Sequence, residues 1–382
     1  MRRSTESETA PHKKVMTQGG RKPLQPTESF ADILAAHLAA YPLMRPEDAY
    51  KLAYQSEFGG GHMVTDEQES LLRIERELLD APDAPAQPQP IGGGLCRVYL
   101  GSLKHTRLRA ATLNRLFILT AGRARGARRG LEAKLRIIRA AAARGEAGFS
   151  AAELDEYLEK QGRTGYPAAG HSAQYRAAYR PAYRVVARGF CNFLAVFALA
   201  DSLLERRTGP VVLAVDGNCC AGKSSLAAML QSVYGCNVIH MDDFFLRPSQ
   251  RTPERFQTPG ANVDHERFLS EVGARLRTGA PFAYRRYDCG AQRLSPPVRV
   301  VPSRLTVVEG SYSMHPSLQS LYDAAVFLAV SPQAQLDRLR ARESAGMLDR
   351  FIHEWIPLEQ AYFDAYRIRE TCALAIDTSC FS

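Results

Sequence analysis

The residues with the clearest capacity for chemistry form a glycine-rich loop between an apolar strand and a helix. The strand Val211–Asp216 runs into G-x-x-x-x-G-K-[ST] at Gly217–Ser224, and an apolar helix pattern follows to Leu230. Glycines let the backbone wrap an anion, so that successive N–H groups and the helix N-terminus point at it. A lysine at this position reaches the outer phosphates of a nucleotide. The pattern therefore predicts a nucleoside-triphosphate site.

The predicted ligands of this site follow from the motif. Lys223 is expected on the outer phosphates, and the hydroxyl of Ser224 is expected to ligate Mg²⁺. The cofactors implied are therefore ATP and Mg²⁺. The residues predicted to surround ATP are Gly217, Asn218, Cys219, Cys220, Ala221, Gly222, Lys223, Ser224 and Ser225. Backbone N–H groups could lower the thiol pKa of the two cysteines, and small residues filling a tight loop are the alternative reading.

Three acidic residues come directly after short apolar strands. Asp242 and Asp243 follow Val238–Met241, and Glu309 follows Leu305–Val308. In a parallel sheet, ligands bind beyond the carboxyl ends of the strands, where the glycine-rich loop also lies. An acid there can hold Mg²⁺ or take the proton from an attacking hydroxyl. These residues are therefore candidate metal ligands and bases.

The order of motifs in this region resembles the uridine kinase / phosphoribulokinase-like branch of P-loop kinases. The resemblance covers about residues 211–366, and the order of the motifs is more specific than any one of them. After the glycine-rich loop, the matching motifs are D-D-F-F (Asp242–Phe245), N-V-D-H-E-R-F (Asn262–Phe268), Y-D (Tyr287-Asp288) and V-V-E-G-S-Y (Val307–Tyr312).

The resemblance implies a role for each matching residue. It makes Asp242 the base on the acceptor hydroxyl and Glu309 a second Mg²⁺ ligand. It also implies that arginines of a lid close over the phosphates. The residues that it implies contact the acceptor are Asp264, His265 and Tyr287. The implied lid arginine is Arg342, and Arg350 is a possible substitute for the family's R-G-R segment, which this chain lacks.

One departure from the family bears on the acceptor. Uridine kinases carry a histidine after the Y-D motif that reads the pyrimidine, but this chain has Cys289–Arg293 without a histidine. The expected acceptor is therefore a nucleoside or another ribose-like alcohol with little discrimination among bases. Two other functions stay open: a nucleotide-gated switch or ATPase that binds RNA or a partner, and a polynucleotide 5′-hydroxyl kinase.

The chain of 382 residues is long enough for two domains. Residues 1–28 are polar and predicted to be disordered, and 29–207 are predicted to form a basic, mostly α-helical accessory domain. Residues 208–382 alternate short apolar strands with helices, which predicts an α/β P-loop NTPase domain with three layers and a parallel sheet. Within the accessory domain, helices are expected over 104–144 and from Pro181 to Arg206, with a short strand at 95–100.

Charge and cysteines limit the partners and the compartment. The part from Gly209 onward has equal numbers of basic and acidic side chains, so the whole net charge of +9 lies before it. Nucleic-acid binding there is possible, but a solvated arginine-rich face is favoured. Eight cysteines without a C-x-x-C pair, and no long apolar stretch, indicate a cytoplasmic protein without a membrane partner. The oligomeric state is left open.

Some residues of the chain have two interpretations. Tyr175, Tyr179 and Tyr183 alternate with arginines and would lie on one helical face, either packed or stacked on a base, although Pro181 can break that face. Trp355 is expected in the core of an amphipathic helix.

Overall fold

The computed structural model describes residues 16–17, 29–64, 66–123 and 126–381. Within the predicted tail 1–28, Met16–Thr17 form a short strand, β1, and the remainder of the tail lies outside the described residues. The chain divides into two compact units, one formed mainly by residues 29–208 and the other mainly by 209–379.

The first unit is mostly helical and carries a small antiparallel sheet. The sheet has the order β2 (Gln89–Gly92), β3 (Leu95–Tyr99) and β4 (Tyr183–Ala187). Ser150 begins one helix with a capping box that includes Glu153. The helices α1 to α9 are Phe30–Ala40, Pro46–Phe58, Glu67–Asp80, Ala110–Ala121, Arg128–Ala143, Ala151–Arg163, Ala173–Tyr179, Arg188–Cys191 and Leu194–Arg206.

Two expectations for this unit are wrong. The helix predicted from Pro181 is interrupted by β4, in which Val185 and Val186 are buried and pair with β3. β-branched side chains favour such a strand, and Arg180 ends α7 with a left-handed φ of 43°. Tyr183 therefore lies on a strand rather than on the helical face of Tyr175 and Tyr179. The helix predicted over 104–144 is two helices, α4 and α5.

The second unit contains a parallel sheet with the order β1-β11-β10-β5-β9-β6. Its strands are β5 (Val211–Gly217), β6 (Asn237–His240), β9 (Leu305–Glu309), β10 (Ala324–Ala329) and β11 (Leu374–Asp377). All residues of β5 and β9 are buried, as expected for strands covered on both faces. The α/β architecture with flanking helices agrees with the fold class predicted from the alternation of apolar runs.

The helices of the second unit complete this architecture. They are α10 (Lys223–Tyr234), α11 (Pro253–Gln257), α12 (His265–Phe268), α13 (Pro332–Arg342), α14 (Ala345–Arg350), α15 (Ile356–Tyr366) and α16 (Ile368–Thr371). The predicted helix after His265 changes to a wide π-type turn at Leu269–Gly273. Trp355 is half-buried beside Phe351 and Arg350, so its assignment to the core is wrong.

An antiparallel hairpin in this unit has no counterpart among the predicted strands. It joins β7 (Phe282–Asp288) to β8 (Arg293–Val300). Pro296 and Pro297 lie in β8, and proline disfavours strands except at sheet edges. In a two-stranded hairpin both strands are edges, so these prolines are tolerated. The hairpin carries Tyr287 on one of its strands.

Candidate active site

The glycine-rich loop begins where β5 passes close to β10. Gly217 has φ of 135°, and a Cβ there would lie 2.0 Å from the carbonyl oxygen of Leu328. No other residue fits this position. Gly222, with φ of 91°, makes the second turn before α10. The two glycines therefore shape the loop that the sequence predicts to hold phosphate.

Lys223 is buried and lies across this loop. Its Nζ donates to the carbonyl oxygens of Gly217 at 2.7 Å and Asn218 at 2.9 Å, and to Oγ of Ser311 at 3.1 Å. The amine is therefore held within the concave face of the loop, beside the β9 end. A phosphate bound there would have to compete with these three oxygen acceptors.

Ser224 and Glu309, the two predicted Mg²⁺ ligands, are in contact with each other. The Ser224 hydroxyl donates to Oε1 of Glu309 at 3.1 Å, and His240 Nδ1 lies 2.5 Å from the same oxygen. This contact with Glu309 raises the pKa of His240. A hydroxyl and a carboxylate are ligands that Mg²⁺ accepts, with waters and phosphate oxygens completing its octahedron. The residues present therefore fit Mg²⁺, although no cluster of three His, Cys, Asp or Glu side chains occurs in the described residues.

Glu359 on α15 is a member of this site that the sequence analysis missed. Its Oε2 accepts from the backbone N–H of Cys219 at 2.9 Å, and its Oε1 accepts from the Ser311 hydroxyl at 2.5 Å. A carboxylate is thus bound by a loop amide. Glu359 shares a helical face with the buried Tyr362 and Phe363, and an acid at that spacing on a buried face was the available signal.

Asp216, at the end of β5, is a second missed residue. It is fully buried and accepts from the backbone N–H groups of Gly217 (2.7 Å) and Met314 (2.8 Å) and from the Tyr362 hydroxyl (2.9 Å). Burial raises the pKa of this carboxyl to about 6, and these hydrogen bonds and the charge of Lys223 oppose the shift. Asp216 therefore ties the loop to the 310–314 turn and to α15.

The neighbouring acids Asp242 and Asp243 lie in a 3₁₀ turn, Met241–Phe244, just after β6. Asp243 accepts from the Tyr284 hydroxyl at 2.7 Å and pairs with Arg286 at 3.3 Å. Asp242 is open to solvent and has no hydrogen-bond or ion-pair partner in the described part of the chain. The accessible carboxylate is nevertheless surrounded by protein atoms that reduce its hydration and raise the pKa of Asp242, while the charge of Lys223 lowers it. The two acids thus have different environments: Asp243 forms an ion pair with Arg286, and Asp242 has no such partner.

The predicted acceptor residues lie in a region with several unpaired buried polar atoms. Asp264 caps α12 by accepting from the Arg267 N–H at 3.1 Å, and its other oxygen lies 3.5 Å from Arg267 Nε without a hydrogen bond. His265 Nδ1 and the Tyr287 hydroxyl are buried and also lack hydrogen-bond partners. His265 stacks on His315 with a ring distance of 4.2 Å. Such unpaired atoms in a buried region are costly, so each needs a water or another polar partner.

The predicted lid arginines each pair with a neighbouring glutamate, and the charge of Arg342 also acts on Cys220 of the loop. Arg342 pairs with Glu343 at 2.6 Å, and Arg350 pairs with Glu354 at 3.1 Å; both side chains are more than half exposed. Arg338, one turn earlier on α13, instead donates to the carbonyl oxygen of Cys220 at 3.0 Å. Arg338 therefore forms a direct hydrogen bond to the glycine-rich loop.

The environment of the two loop cysteines favours their thiol form over the thiolate. Burial raises the pKa of the Cys219 thiol, and it raises that of Cys220 as well. The possible lowering by backbone N–H groups is therefore outweighed by desolvation. The reading in which these are small residues filling a tight loop is the one that agrees with their environment.

Solved structures similar to this chain include kinases. A possible uridine kinase from Bacillus stearothermophilus is 19% identical, with a TM-score of 0.37, over 46% of this chain and 96% of that one. A putative fructose transport system kinase from Silicibacter sp. TM1040 is 20% identical, with a TM-score of 0.39, over 47% and 97%. TT1252 from Thermus thermophilus is 16% identical, with a TM-score of 0.28, over 44% and 89%.

No protein-family model matches the chain. No helix within the described ranges has the length and apolar character needed to cross a bilayer.

We predict that Asp216 makes stability depend on pH. Its folded pKa of about 6 exceeds the ordinary 3.8, so between these values the folded state keeps a proton that the unfolded state loses. The free energy of unfolding therefore falls as pH rises through this window, by up to about 3 kcal/mol. Asp216→Asn lacks this titrating group. The difference in unfolding free energy by which the wild type exceeds Asp216→Asn, measured by urea unfolding, should therefore shrink from pH 4 to pH 7.

The exposed Asp337 supplies the control for this measurement. Asp337→Asn should leave the pH dependence of the unfolding free energy as it is in the wild type. A constant difference between the wild type and Asp216→Asn across the whole range would contradict the prediction.

Proposed function

We propose that the second unit transfers a phosphoryl group from ATP to the hydroxyl of a small, ribose-like molecule. The observation that carries the proposal is the free carboxylate of Asp242, which shares a site with Lys223 and with the Ser224–Glu309 pair. Phosphoryl transfer needs positioning and charge neutralisation more than covalent help. These residues supply an amine for the phosphates, oxygen ligands for a cation and a base for the acceptor.

Each group has a defined part in this proposal. Lys223 and the loop amides hold the phosphates, and Ser224 with Glu309 would hold Mg²⁺, which neutralises charge on the phosphate oxygens. Asp242 accepts the proton of the attacking hydroxyl. Its raised pKa makes it a stronger base than an ordinary aspartate, while the ion pair with Arg286 leaves Asp243 poorly suited to this role.

The acceptor end of the site is formed by Asp264, His265 and Tyr287. Their unpaired buried atoms supply both acceptors and donors, which suits neighbouring hydroxyl groups on a sugar-like ring. Gln292 lies near the place where uridine kinases carry their base-reading histidine. The proposed acceptor is therefore chosen by its hydroxyls more than by a base. Arg342 and Arg350 would contribute only after a rearrangement of 342–350.

The first functional prediction concerns the phosphate loop. Lys223→Ala should lower ATP-dependent turnover by about 10²-fold or more, because it removes an electrostatic donor from the phosphates. Turnover is measured as ADP release in the presence of acceptor. Arg369→Ala, which removes an exposed cation on α16 away from the loop motif, should retain activity. Near-normal turnover of Lys223→Ala with an unchanged circular dichroism spectrum would refute the assignment.

The second prediction separates the two neighbouring acids. Asp242→Asn should reduce kcat by about 10²-fold or more with little change in ATP affinity, because a general base is lost. Asp243→Asn should have a smaller effect, since it alters only contacts with Tyr284 and Arg286. A larger loss of kcat in Asp243→Asn than in Asp242→Asn would show that the assignment of Asp242 as the base is wrong.

The third prediction concerns the acceptor. A site built to bind adjacent hydroxyls leaves its own buried groups unpaired when one hydroxyl is missing. We therefore expect kcat/KM to fall about tenfold or more from uridine and cytidine to their 2′-deoxy forms, with little difference between the two bases. Free ribose and pantothenate complete the panel. An exclusive preference for uridine, or a preference for an acceptor without a diol, would contradict this expectation.

The same measurement distinguishes the two other candidate functions. A nucleotide-gated switch would release ADP without dependence on a small hydroxyl compound. A polynucleotide kinase would require single-stranded nucleic acid with a free 5′-hydroxyl, and its binding would weaken steeply with salt.

A further inference from the structure

The first unit contains a cavity of about 260 Å³ that the proposed kinase chemistry does not use. Its main walls come from Tyr41 after α1, Tyr99 on β3, and Tyr175 and Tyr179 on α7, with Gln89 of β2 beside them. One water occupies roughly 30 Å³ of liquid. The cavity thus has room for roughly nine non-hydrogen atoms, the size of a substituted six-membered ring.

The tyrosine wall is continuous and held in place. The ring of Tyr41 lies 5.3 Å from Tyr175 and 5.0 Å from Tyr179, and the last two rings are 4.7 Å apart. Behind the cavity, Tyr175 is stacked on His171 with centroids 4.2 Å apart and ring planes at 4°. Aromatic faces in such an arrangement offer a flat ligand extensive contact at little cost in side-chain entropy.

Two charged residues also line the cavity: Asp83 pairs with His105 at 3.5 Å, and Arg180 donates to the carbonyl oxygen of Asp80 at 2.8 Å.

On the tyrosine side, the polar groups are mainly hydrogen-bond donors. Tyr175 is 1% exposed, and its hydroxyl has no hydrogen-bond partner among the described residues. The Tyr179 oxygen accepts from the Leu43 N–H at 3.1 Å, so its own proton remains available. The side-chain oxygen of Gln89, Oε1, accepts from the Tyr99 hydroxyl at 2.8 Å, which leaves the side-chain NH₂ group of Gln89 as a donor for a ligand. A ligand here must therefore supply acceptors.

A buried cation, Arg97, lies behind the tyrosine wall; it does not line the cavity, but its charge acts on Tyr175 and Tyr99. Arg97 on β3 is 1% exposed; its guanidinium donates to Oε1 of Gln55 at 2.9 Å and lies 4.5 Å from the centre of the Tyr183 ring. No carboxylate in the described ranges forms an ion pair with it. The buried Asp48 instead accepts from His171 at 2.7 Å and from Ser172. A buried charge without a counter-charge is costly.

Burial raises the pKa of Asp48, but hydrogen bonds from His171 and Ser172 lower it by more, and the negative charge of Asp48 acts on His171 and Lys51. Arg97 and Lys51 together still outnumber this one anion. Burial, and then the charge of Arg97, lower the pKa of His37 to about 4. Burial also lowers the pKa of His171 to about 4, with Arg97 contributing and the hydrogen bond to Asp48 opposing. Both imidazoles are therefore neutral at neutral pH. Burial and the charge of Arg97 lower the pKa of Lys51 to about 8, and this side chain adds no negative charge.

We propose that this cavity binds a small planar anion, an aromatic or heteroaromatic carboxylate. Its ring lies against the tyrosine wall, and its carboxylate accepts from the Tyr175 hydroxyl and offsets the excess positive charge of Arg97 and Lys51 behind that wall. A tyrosine cage without a buried cation would suit a cationic ligand. Arg97 excludes that choice, because the two positive charges would repel one another in a poorly solvated region.

The test uses the full-length protein and isothermal titration calorimetry with benzoate and nicotinate. Their neutral amides, benzamide and nicotinamide, have the same rings without the charge, and benzyltrimethylammonium is the cationic probe. The carboxylates should bind about tenfold or more tightly than the amides, because hydrogen bonds to charged groups are the stronger ones. The cation should not bind.

Tyr175→Phe retains the ring and removes the unpaired hydroxyl. It should weaken benzoate binding by about tenfold or more, while Tyr157→Phe, which alters a tyrosine that does not line the cavity, should leave it unchanged. Equal binding of carboxylates and amides, tighter binding of the cation, no binding at millimolar concentrations, or full affinity in Tyr175→Phe would each overturn the proposal.

Discussion

The close approach of β5 to β10 is the constraint on which the phosphate loop depends. At Gly217 the neighbouring backbone leaves no space for a side chain, so the chain turns out of the sheet at that residue. The turn places Lys223 at the start of α10 and directs its amine back over the loop carbonyls. In the sheet, β5 lies beside β9 and β9 lies beside β6. Glu309 is the last residue of β9, and Asp242 follows shortly after β6. Because the strands are parallel, their carboxyl ends lie at one edge of the sheet.

The local part of this arrangement could be predicted from the sequence. The loop, α10 and the strands β5, β6 and β9 follow from glycine spacing and short apolar runs, and the Ser224–Glu309 contact follows from the parallel sheet. Long-range partners could not be predicted in the same way. Glu359 reaches the loop amide from 140 positions away. Its place depends on how α15 packs, which a single sequence does not reveal.

Failures of prediction in the first unit have a different physical cause. The sequence predicts a helix over β4 because Pro181 suits the first turn of a helix and apolar residues such as Phe190 and Phe193 follow. What makes it a strand is its pairing with β3, which is 84 or more positions earlier in the chain. Strand propensity depends strongly on such context. The same pairing brings Arg97 against Tyr183, so the tyrosine cavity and its buried cation were equally hidden from local patterns.

The phosphate loop also shows how its donors are satisfied by the protein itself. Lys223 donates to three oxygen acceptors, and the Cys219 N–H donates to the Glu359 carboxylate. A buried donor left unpaired costs about 1–3 kcal/mol, so these contacts stabilise the loop. A triphosphate would offer stronger, charge-assisted partners to the same donors. Its net binding energy is therefore the difference between two sets of hydrogen bonds, and Glu359, as an anion near the incoming phosphates, is the group whose displacement opposes binding most directly.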